Sequence, residues 1–100
     1  MRYNFLMYEW DEAKREANLR KHGFDFDDAD IVLENPKRIT FAESGRGEKR
    51  WRDLAFVETV RSVLAVVYTI RGYNIRIISF RKASRKERRI YDHLRQTKQN

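Results

Sequence analysis

The segment that most constrains the fold is residues 63–70, where nearly every side chain is apolar and either β-branched or aromatic. Such a run is typical of a strand that lies at the centre of a sheet and is covered on both faces. Short turns around residues 60–62 and 71–74 separate this run from predicted strands at residues 51–59 and 75–81. Because short connections imply antiparallel pairing, the second half of the chain is predicted to form an antiparallel sheet.

The first half of the chain predicts helices. Residues 3–10 are rich in aromatic side chains and predict a strand buried on both faces. A helix is expected over residues 12–21, begun by Asp11 and ended by Gly23. A second short helix begins near residue 25 or 27 and must end before Pro36.

Two more elements complete the predicted order. Residues 38–41 form a short strand, and a polar loop follows over residues 43–50. Ser84 and Glu87 have the spacing of a capping box, which predicts a last helix through residue 94. We therefore expect an α+β domain over residues 1–95, with its helices on one face of a twisted sheet, and a frayed tail over residues 96–100.

Charge is distributed unevenly along the chain. Residues 1–36 contain 5 Lys and Arg against 9 Asp and Glu (net −4), whereas residues 37–100 contain 17 against 6 (net +11). Nucleic acid is the first candidate for an anionic partner, and an acidic protein is the second. A solvated basic surface is the alternative.

Composition excludes several classes of protein. The chain has no cysteine, which excludes disulfides and thiolate chemistry and suits a cytoplasmic protein. No apolar run approaches the roughly 18 residues that a membrane span requires. His22 and His93 are far apart in the sequence, and no Gly-rich phosphate loop is present, so neither a metal site nor a cofactor is predicted.

The candidate phosphate-binding residues are arginines on and around the predicted strand at residues 75–81. Alternation along that strand places Arg81 on one face and Arg76 on the other. A guanidinium group suits phosphate because it donates paired hydrogen bonds and stays charged. The alternative is a solvated face on which Arg88 or Arg89 pairs locally with Asp92. The candidate arginines are Arg71, Arg76, Arg81, Arg85 and Arg88, and Lys86 and Arg89 lie beside the last two.

Three other side chains are candidates for different tasks. His22 can act as a general acid or base near neutral pH, although a cation that closes a helix is also a common cap. Tyr68 and Tyr73 flank the turn at Arg71 and can stack on unpaired bases. Aromatic residues also favour strands for packing reasons alone.

Two separated segments of the chain resemble the signatures of the BrnT toxins. The first contains Tyr8-Glu9-Trp10-Asp11, Lys14, Asn18-Leu19-Arg20-Lys21-His22-Gly23, Phe26 and Ala29. The second contains Val66-Val67-Tyr68-Thr69, Arg71, Arg76-Ile77-Ile78-Ser79, Arg81, Ala83, Glu87-Arg88 and Tyr91. Residues 43–61 match poorly, and Phe80 stands where that family usually has a small residue.

The resemblance implies a RelE-like fold, with a twisted, mainly antiparallel sheet, two N-terminal helices and one C-terminal helix. It also implies a ribonuclease that halts translation and a ribbon-helix-helix antitoxin that binds the toxin and represses the shared operon. Operator DNA would then be contacted only through the antitoxin complex, and no membrane partner is expected. A homodimer and a toxin–antitoxin heterotetramer both remain open.

We interpret the chain as a metal-independent endoribonuclease. In that reaction the RNA 2′-hydroxyl attacks the adjacent phosphorus and leaves a 2′,3′-cyclic phosphate, which requires proton transfer and cations around the phosphate. The expected cations are Arg71, Arg76 and Arg81, supported by Lys21. His22 is the first candidate for proton transfer and Glu87 the second, and Arg85 and Arg88 hold flanking phosphates. The alternatives are a non-catalytic RNA- or DNA-binding module and a structural partner of an acidic protein.

Overall fold

A computed structural model describes residues 7–43 and 47–98, with side chains as far as residue 96. The parts of the predictions that concern residues 3–6, 44–46 and 99–100 lie outside the described residues. The α+β class is confirmed. The elements are β1 (Met7–Glu9), α1 (Glu12–His22), a 3₁₀ turn (Phe26–Asp28), α2 (Asp30–Leu33), β2 (Ile39–Glu43), β3 (Arg50–Val57), β4 (Ser62–Arg71), β5 (Asn74–Lys82) and α3 (Arg85–Lys98).

The five strands form one mixed sheet in the order β1-β5-β4-β3-β2. β1 runs parallel to β5, and the other three pairings are antiparallel. The prediction that β4 is central is confirmed, with residues 63–69 all buried. The prediction that the first strand is buried on both faces is wrong for its described residues, since Met7 is 65% exposed. β1 pairs only with β5 and lies at the edge of the sheet.

Helices cover both faces of the sheet, so the prediction that they share one face is wrong. Phe26, Ala29 and Val32 pack with the β3 and β4 residues Ala55 and Leu64 on one face. On the other face, α3 packs through side chains that include Tyr91 and Leu94 against Leu54, Val63 and Ala65. The physical reason is the apolar character of both alternating sets along β3 and β4, each of which must be buried.

α1 begins and ends at the predicted capping residues. The Asp11 side chain accepts a hydrogen bond from the Lys14 amide at 3.0 Å. Gly23 takes a left-handed conformation with φ 80°, and its amide donates to the Leu19 carbonyl at 2.9 Å. α1 therefore ends at His22, which holds that side chain at a defined place in the fold.

One buried side chain docks α1 on the edge of the sheet. The Asn18 amide nitrogen donates to the Phe80 carbonyl at 2.8 Å, and the Phe80 amide donates back to the Asn18 carbonyl oxygen at 3.1 Å. β1 pairs with β5 only over residues 74–76, so Asn18 takes the place of a strand farther along β5. His22 follows one helical turn after Asn18 and so lies beside the end of β5.

A β-bulge changes which side chains of β5 share a face. Val67 pairs with Ser79 and Tyr68 pairs with Ile77, which leaves Ile78 as the extra residue. Beyond the bulge, Arg81 lies opposite Ala65, while Arg76 lies opposite Thr69. Ala65 and Thr69 are on the same side of β4, so both arginines are on the face of α3. The prediction that they lie on opposite faces is wrong because it assumed unbroken alternation.

Candidate active site

The α3 face of the sheet carries a row of arginines where α3 does not cover it. α3 packs over Leu54, Val63 and Ala65. The strand register places the arginines on the same face, mostly toward the β4–β5 turn. They are Arg50 and Arg52 of β3, Arg71 of β4, and Arg76 and Arg81 of β5.

Glu87 joins the sheet to the first turn of α3. Its carboxylate accepts hydrogen bonds from Arg81 Nη1 at 2.7 Å and Nη2 at 3.1 Å, and from Arg52 Nη1 at 2.7 Å. It also accepts from the Ser84 amide at 2.8 Å, while the Glu87 amide donates to Ser84 Oγ at 3.1 Å. The predicted capping box is confirmed, and it simultaneously holds two guanidinium groups.

The electrostatics of Glu87 suit a positioning role better than proton transfer. Burial acts to raise the pKa of Glu87, but hydrogen bonds and charge from Arg81, the Ser84 amide and Arg52 outweigh it and lower this pKa to about 2. The carboxylate is therefore ionised at neutral pH, and both its oxygens already accept hydrogen bonds. A group held this way is a poor proton donor, and it fixes the orientation of Arg81.

Arg81 keeps hydrogen-bonding capacity despite its ion pair. Its side chain is 26% exposed, and Nη1 and Nη2 bind Glu87, with a further 3.3 Å bond from Nη1 to the Lys82 carbonyl. A guanidinium group has five N–H donors, so the Nε donor and one donor on Nη2 remain for a ligand. An anion that approaches this exposed edge can be bound without breaking the Glu87 contact.

His22 lies within electrostatic range of Arg81. Its side chain is half-buried, and burial first, then the charges of Lys21 and Arg81, lower the pKa of His22 below its ordinary value of 6.5. The imidazole is therefore neutral at pH 7 and able to accept a proton. His22 therefore lies in the electrostatic field of its exposed neighbour Lys21 and of Arg81, the arginine that Glu87 holds.

Arg71 and Arg76 belong to a second cluster near the β4–β5 turn. Arg71 donates to Glu48 at 2.9 and 3.0 Å, and Arg76 donates to Glu9 at 2.8 Å. These bonds lower the pKa values of Glu48 and Glu9. Arg76 and Arg81 pair with β4 residues four positions apart, a separation of about 13 Å along the strand. The three predicted transition-state arginines are therefore divided between two places on one face.

The two predicted base-stacking tyrosines have different environments. Tyr68 is 7% exposed and lies on the sheet face opposite Arg81, where its hydroxyl donates to buried Asp53 at 2.8 Å. Burial and Asp53 raise the pKa of Tyr68. The prediction that Tyr68 stacks on RNA bases is wrong, because its ring is not accessible. Tyr73, in the turn, is 82% exposed and remains available.

Arg85 and Arg88 project from α3 as exposed side chains. The alternative in which Arg88 or Arg89 pairs with Asp92 is wrong, because within the described part of the chain no ion pair joins Asp92 to either arginine. The guanidinium groups of Arg85 and Arg88 are therefore available to an anionic ligand.

Arg52 is the member of the cluster that sequence reasoning missed. It binds Glu87 from β3, lies 5.7 Å from the Phe41 ring centre and has its Nε 3.8 Å from Glu43. Among the described residues, that buried Nε has no hydrogen-bond acceptor. The only signal in the sequence was the alternation of residues 50 and 52, which does not reveal that α3 brings Glu87 above this strand.

Two general properties of the described residues bear on the site. No helix in residues 7–43 and 47–98 is long and apolar enough to cross a membrane. Over the same ranges, no three His, Asp or Glu side chains are grouped so that they can hold a metal ion.

The sequence is similar to a known protein family. A family model described as the ribonuclease toxin BrnT of type II toxin–antitoxin systems matches residues 10–87. No curated protein matches the chain. The matched span runs from the start of α1 through the sheet to Glu87, and so contains both arginine clusters and His22. The chain therefore belongs to the BrnT family of ribonuclease toxins of type II toxin–antitoxin systems.

Proposed function

We propose that this toxin is a metal-independent, RelE-like endoribonuclease that cleaves mRNA and so inhibits translation. The observation that carries the proposal is the group at the end of β5. There Arg81 is held by Glu87 with free donors, and His22, kept neutral by its surroundings, lies within range of the same charge. A neutral imidazole can accept the proton of the attacking 2′-hydroxyl, and an oriented guanidinium can stabilise the negative charge that grows on the phosphate.

In the proposed reaction, neutral His22 accepts the proton of the 2′-hydroxyl. The 2′ oxygen forms a bond to phosphorus while the bond from phosphorus to the 5′ oxygen breaks, which gives a 2′,3′-cyclic phosphate and a 5′-hydroxyl. The free donors of Arg81 bind the non-bridging oxygens, whose negative charge grows in the transition state. Lys21 adds positive charge beside His22, and the departing oxygen takes its proton from Lys21 or from solvent. Glu87 positions Arg81 and does not move a proton.

The second cluster binds phosphates on either side of the scissile one. Arg71 is 51% exposed and its partner Glu48 is 44% exposed, so this pair can exchange for an RNA phosphate at low cost. Arg76 with Glu9 is similar, each being 30% exposed. Exposed Arg85 and Arg88 continue the cationic surface along α3, and Tyr73 can stack on an unpaired base.

A toxin of this kind requires an inhibitor inside the same cell. We propose a ribbon-helix-helix antitoxin as the partner in the cytoplasm, with operator DNA bound only through the toxin–antitoxin complex. The second candidate function is a non-catalytic RNA- or DNA-binding module, which is favoured by the number of arginines that share the α3 face.

The decisive experiment is single-turnover cleavage of RNA by the purified chain in excess EDTA, with analysis of the product ends. We expect cleavage with cyclic-phosphate ends, and a fall of about 10²-fold in rate for Arg81→Ala, because this variant loses charge that stabilises the transition state. Arg20→Ala, an exposed cation on α1, is the matched control and should leave the rate unchanged. Binding without cleavage would favour the second candidate, and loss of activity in EDTA with rescue by Mg²⁺ would refute metal independence.

A further inference from the structure

A cationic groove lies beside residues 88 and 92 of α3. It has a volume of about 230 Å³ and is formed where α3 meets the β3–β4 turn and the end of β5. Arg61, Lys82 and Arg88 line it, against the single carboxylate of Asp92. Its remaining wall includes Phe56, whose side chain is 42% exposed.

The three cations of this groove differ from the arginines of the sheet. Arg81 and Arg76 each have a carboxylate partner at hydrogen-bond distance. Within the described residues, Arg61, Lys82 and Arg88 have none. Three positive side chains around one small depression repel each other unless an anion lies between them. With three cations and one carboxylate along its lining, the groove has a net positive charge that favours an anionic ligand.

Arg61 has a backbone conformation that is unfavourable for a residue with a side chain. Arg61 has φ 52° and is, among the described residues, the one non-glycine residue with positive φ. This is the left-handed region, which glycine adopts readily and arginine does not. The last position of a hairpin turn with this geometry ordinarily favours glycine. Here the position is occupied by an arginine, and this residue lines the groove.

We infer that the groove binds one nucleotide of a single-stranded RNA, with its phosphate among Arg61, Lys82 and Arg88 and its base against the Phe56 ring. Cations beside an exposed aromatic ring are the combination by which proteins bind single strands without reading their sequence. Lys82 directly follows Arg81 in β5, so the groove adjoins the proposed cleavage site. The inference rests on the proposed function because it takes RNA as the ligand. An acidic protein segment would use the cations but has no need of the ring.

The test uses a fluorescent 2′-O-methyl oligoribonucleotide, which lacks the nucleophilic hydroxyl, so that binding is measured apart from cleavage. Arg61→Gly removes one cation and relieves the unfavourable backbone conformation. We expect its affinity for the oligomer to fall about 5-fold to 10-fold, and the slope of log affinity against log salt to decrease in magnitude by about 0.7. Its melting temperature should stay the same or rise. A lower melting temperature would contradict the conclusion that the backbone conformation of Arg61 is unfavourable.

Arg89→Ala is the matched control, because Arg89 is an exposed cation of α3 that does not line the groove. The affinity of Arg89→Ala for the oligomer should change less than 2-fold, because the charge that is lost lies away from the groove and is screened by salt. Phe56→Leu should weaken binding about 5-fold or more with the salt slope unchanged, because it loses a stacking surface and no charge.

Three results would overturn the inference. The first is an equal loss of affinity in Arg61→Gly and Arg89→Ala, which would mean that only total charge matters. The second is unchanged RNA binding by Arg61→Gly together with weakened binding of an acidic peptide, which would assign the groove to a protein. The third is a wild-type protein that does not bind the oligomer. A wild-type protein that binds but does not cleave RNA counts against the proposed function alone, and the binding comparison still stands.

Discussion

Replacing Glu87 with Gln tests whether one carboxylate holds the site together. The substitution preserves the size of the side chain and an oxygen that can accept from the Ser84 amide. It removes the negative charge that Arg81 and Arg52 share at 2.7 Å each. The Glu87 side chain is 6% exposed, so water cannot replace that charge fully.

The expected loss of stability follows from the pKa. The pKa of Glu87 is 4.5 in the unfolded chain and about 2 in the folded protein. A difference of about 2.5 pH units corresponds to about 3 kcal/mol of unfolding free energy at neutral pH, and we take it as an upper limit. Glu87→Gln should therefore lose about 2–3 kcal/mol, which lowers the melting temperature of a domain of this size by roughly 10–20 °C.

The dependence on pH gives a second, sharper measurement. Between pH 4.5 and about 2 the unfolded chain binds a proton at Glu87 that the folded protein does not, so wild-type stability falls as the pH decreases through this window. Urea unfolding at several pH values should show a smaller fall in stability through this window for Glu87→Gln than for the wild type, the remaining fall coming from other carboxylates with lowered pKa values such as Glu9 and Glu48. Glu48→Gln, which removes the exposed partner of Arg71, is the control and should change stability little. Equal losses in the two variants, or identical pH slopes for Glu87→Gln and wild type, would refute the reasoning.

Two more predictions concern activity. If neutral His22 is the base, the single-turnover cleavage rate should rise with pH through a pKa below 6.5, and His22→Gln should lower the plateau about 10²-fold or more. Arg81→Lys keeps the positive charge and should keep the pKa of His22 low, whereas Arg81→Ala should raise that pKa. Identical pH–rate profiles in the wild type and both variants would contradict the assignment of His22 as the base. Expression of the chain alone should arrest bacterial growth and co-expression of its antitoxin should restore it. Normal growth at high expression of folded protein would contradict the toxin function.

Sequence reasoning predicted best those elements that local chemistry decides. The capping box of Ser84 and Glu87 depends on residues three positions apart, and the glycine end of α1 on a single backbone conformation. The central position of β4 followed from the apolar character of the strand itself. That same character implied cover on both faces, yet the side of the sheet on which α3 packs was not predicted. The side on which a helix packs depends on which apolar sheet face the other helices leave uncovered. A short segment of sequence does not carry this information.

The sequence predicted which residues are candidates for the site, but it did not predict how they are arranged in space. Arg81 and Glu87 are in contact, and the charge of Arg81 acts on His22. Arg52 was missed because its partner Glu87 is 35 residues away and meets it only through the docking of α3. Tyr68 was misassigned, although it alternates in step with buried Leu64 and Val66 and so belongs to the core set of β4. Nearness in sequence to Arg71 was a weaker guide than strand periodicity.

The bulge at Ile78 explains how one strand serves both the core and the site. With unbroken alternation, Ile77 and Arg81 would share a face, and Arg81 would point into the core. The extra residue turns Phe80 into the core instead, where it is 1% exposed, and turns Arg81 toward Glu87. The backbone of the same Phe80 is what Asn18 binds, and this contact fixes α1 and therefore the place of His22. A single irregularity thus sets the position of both groups that the proposed chemistry needs, in keeping with the tendency of bulges to re-aim side chains beside active sites.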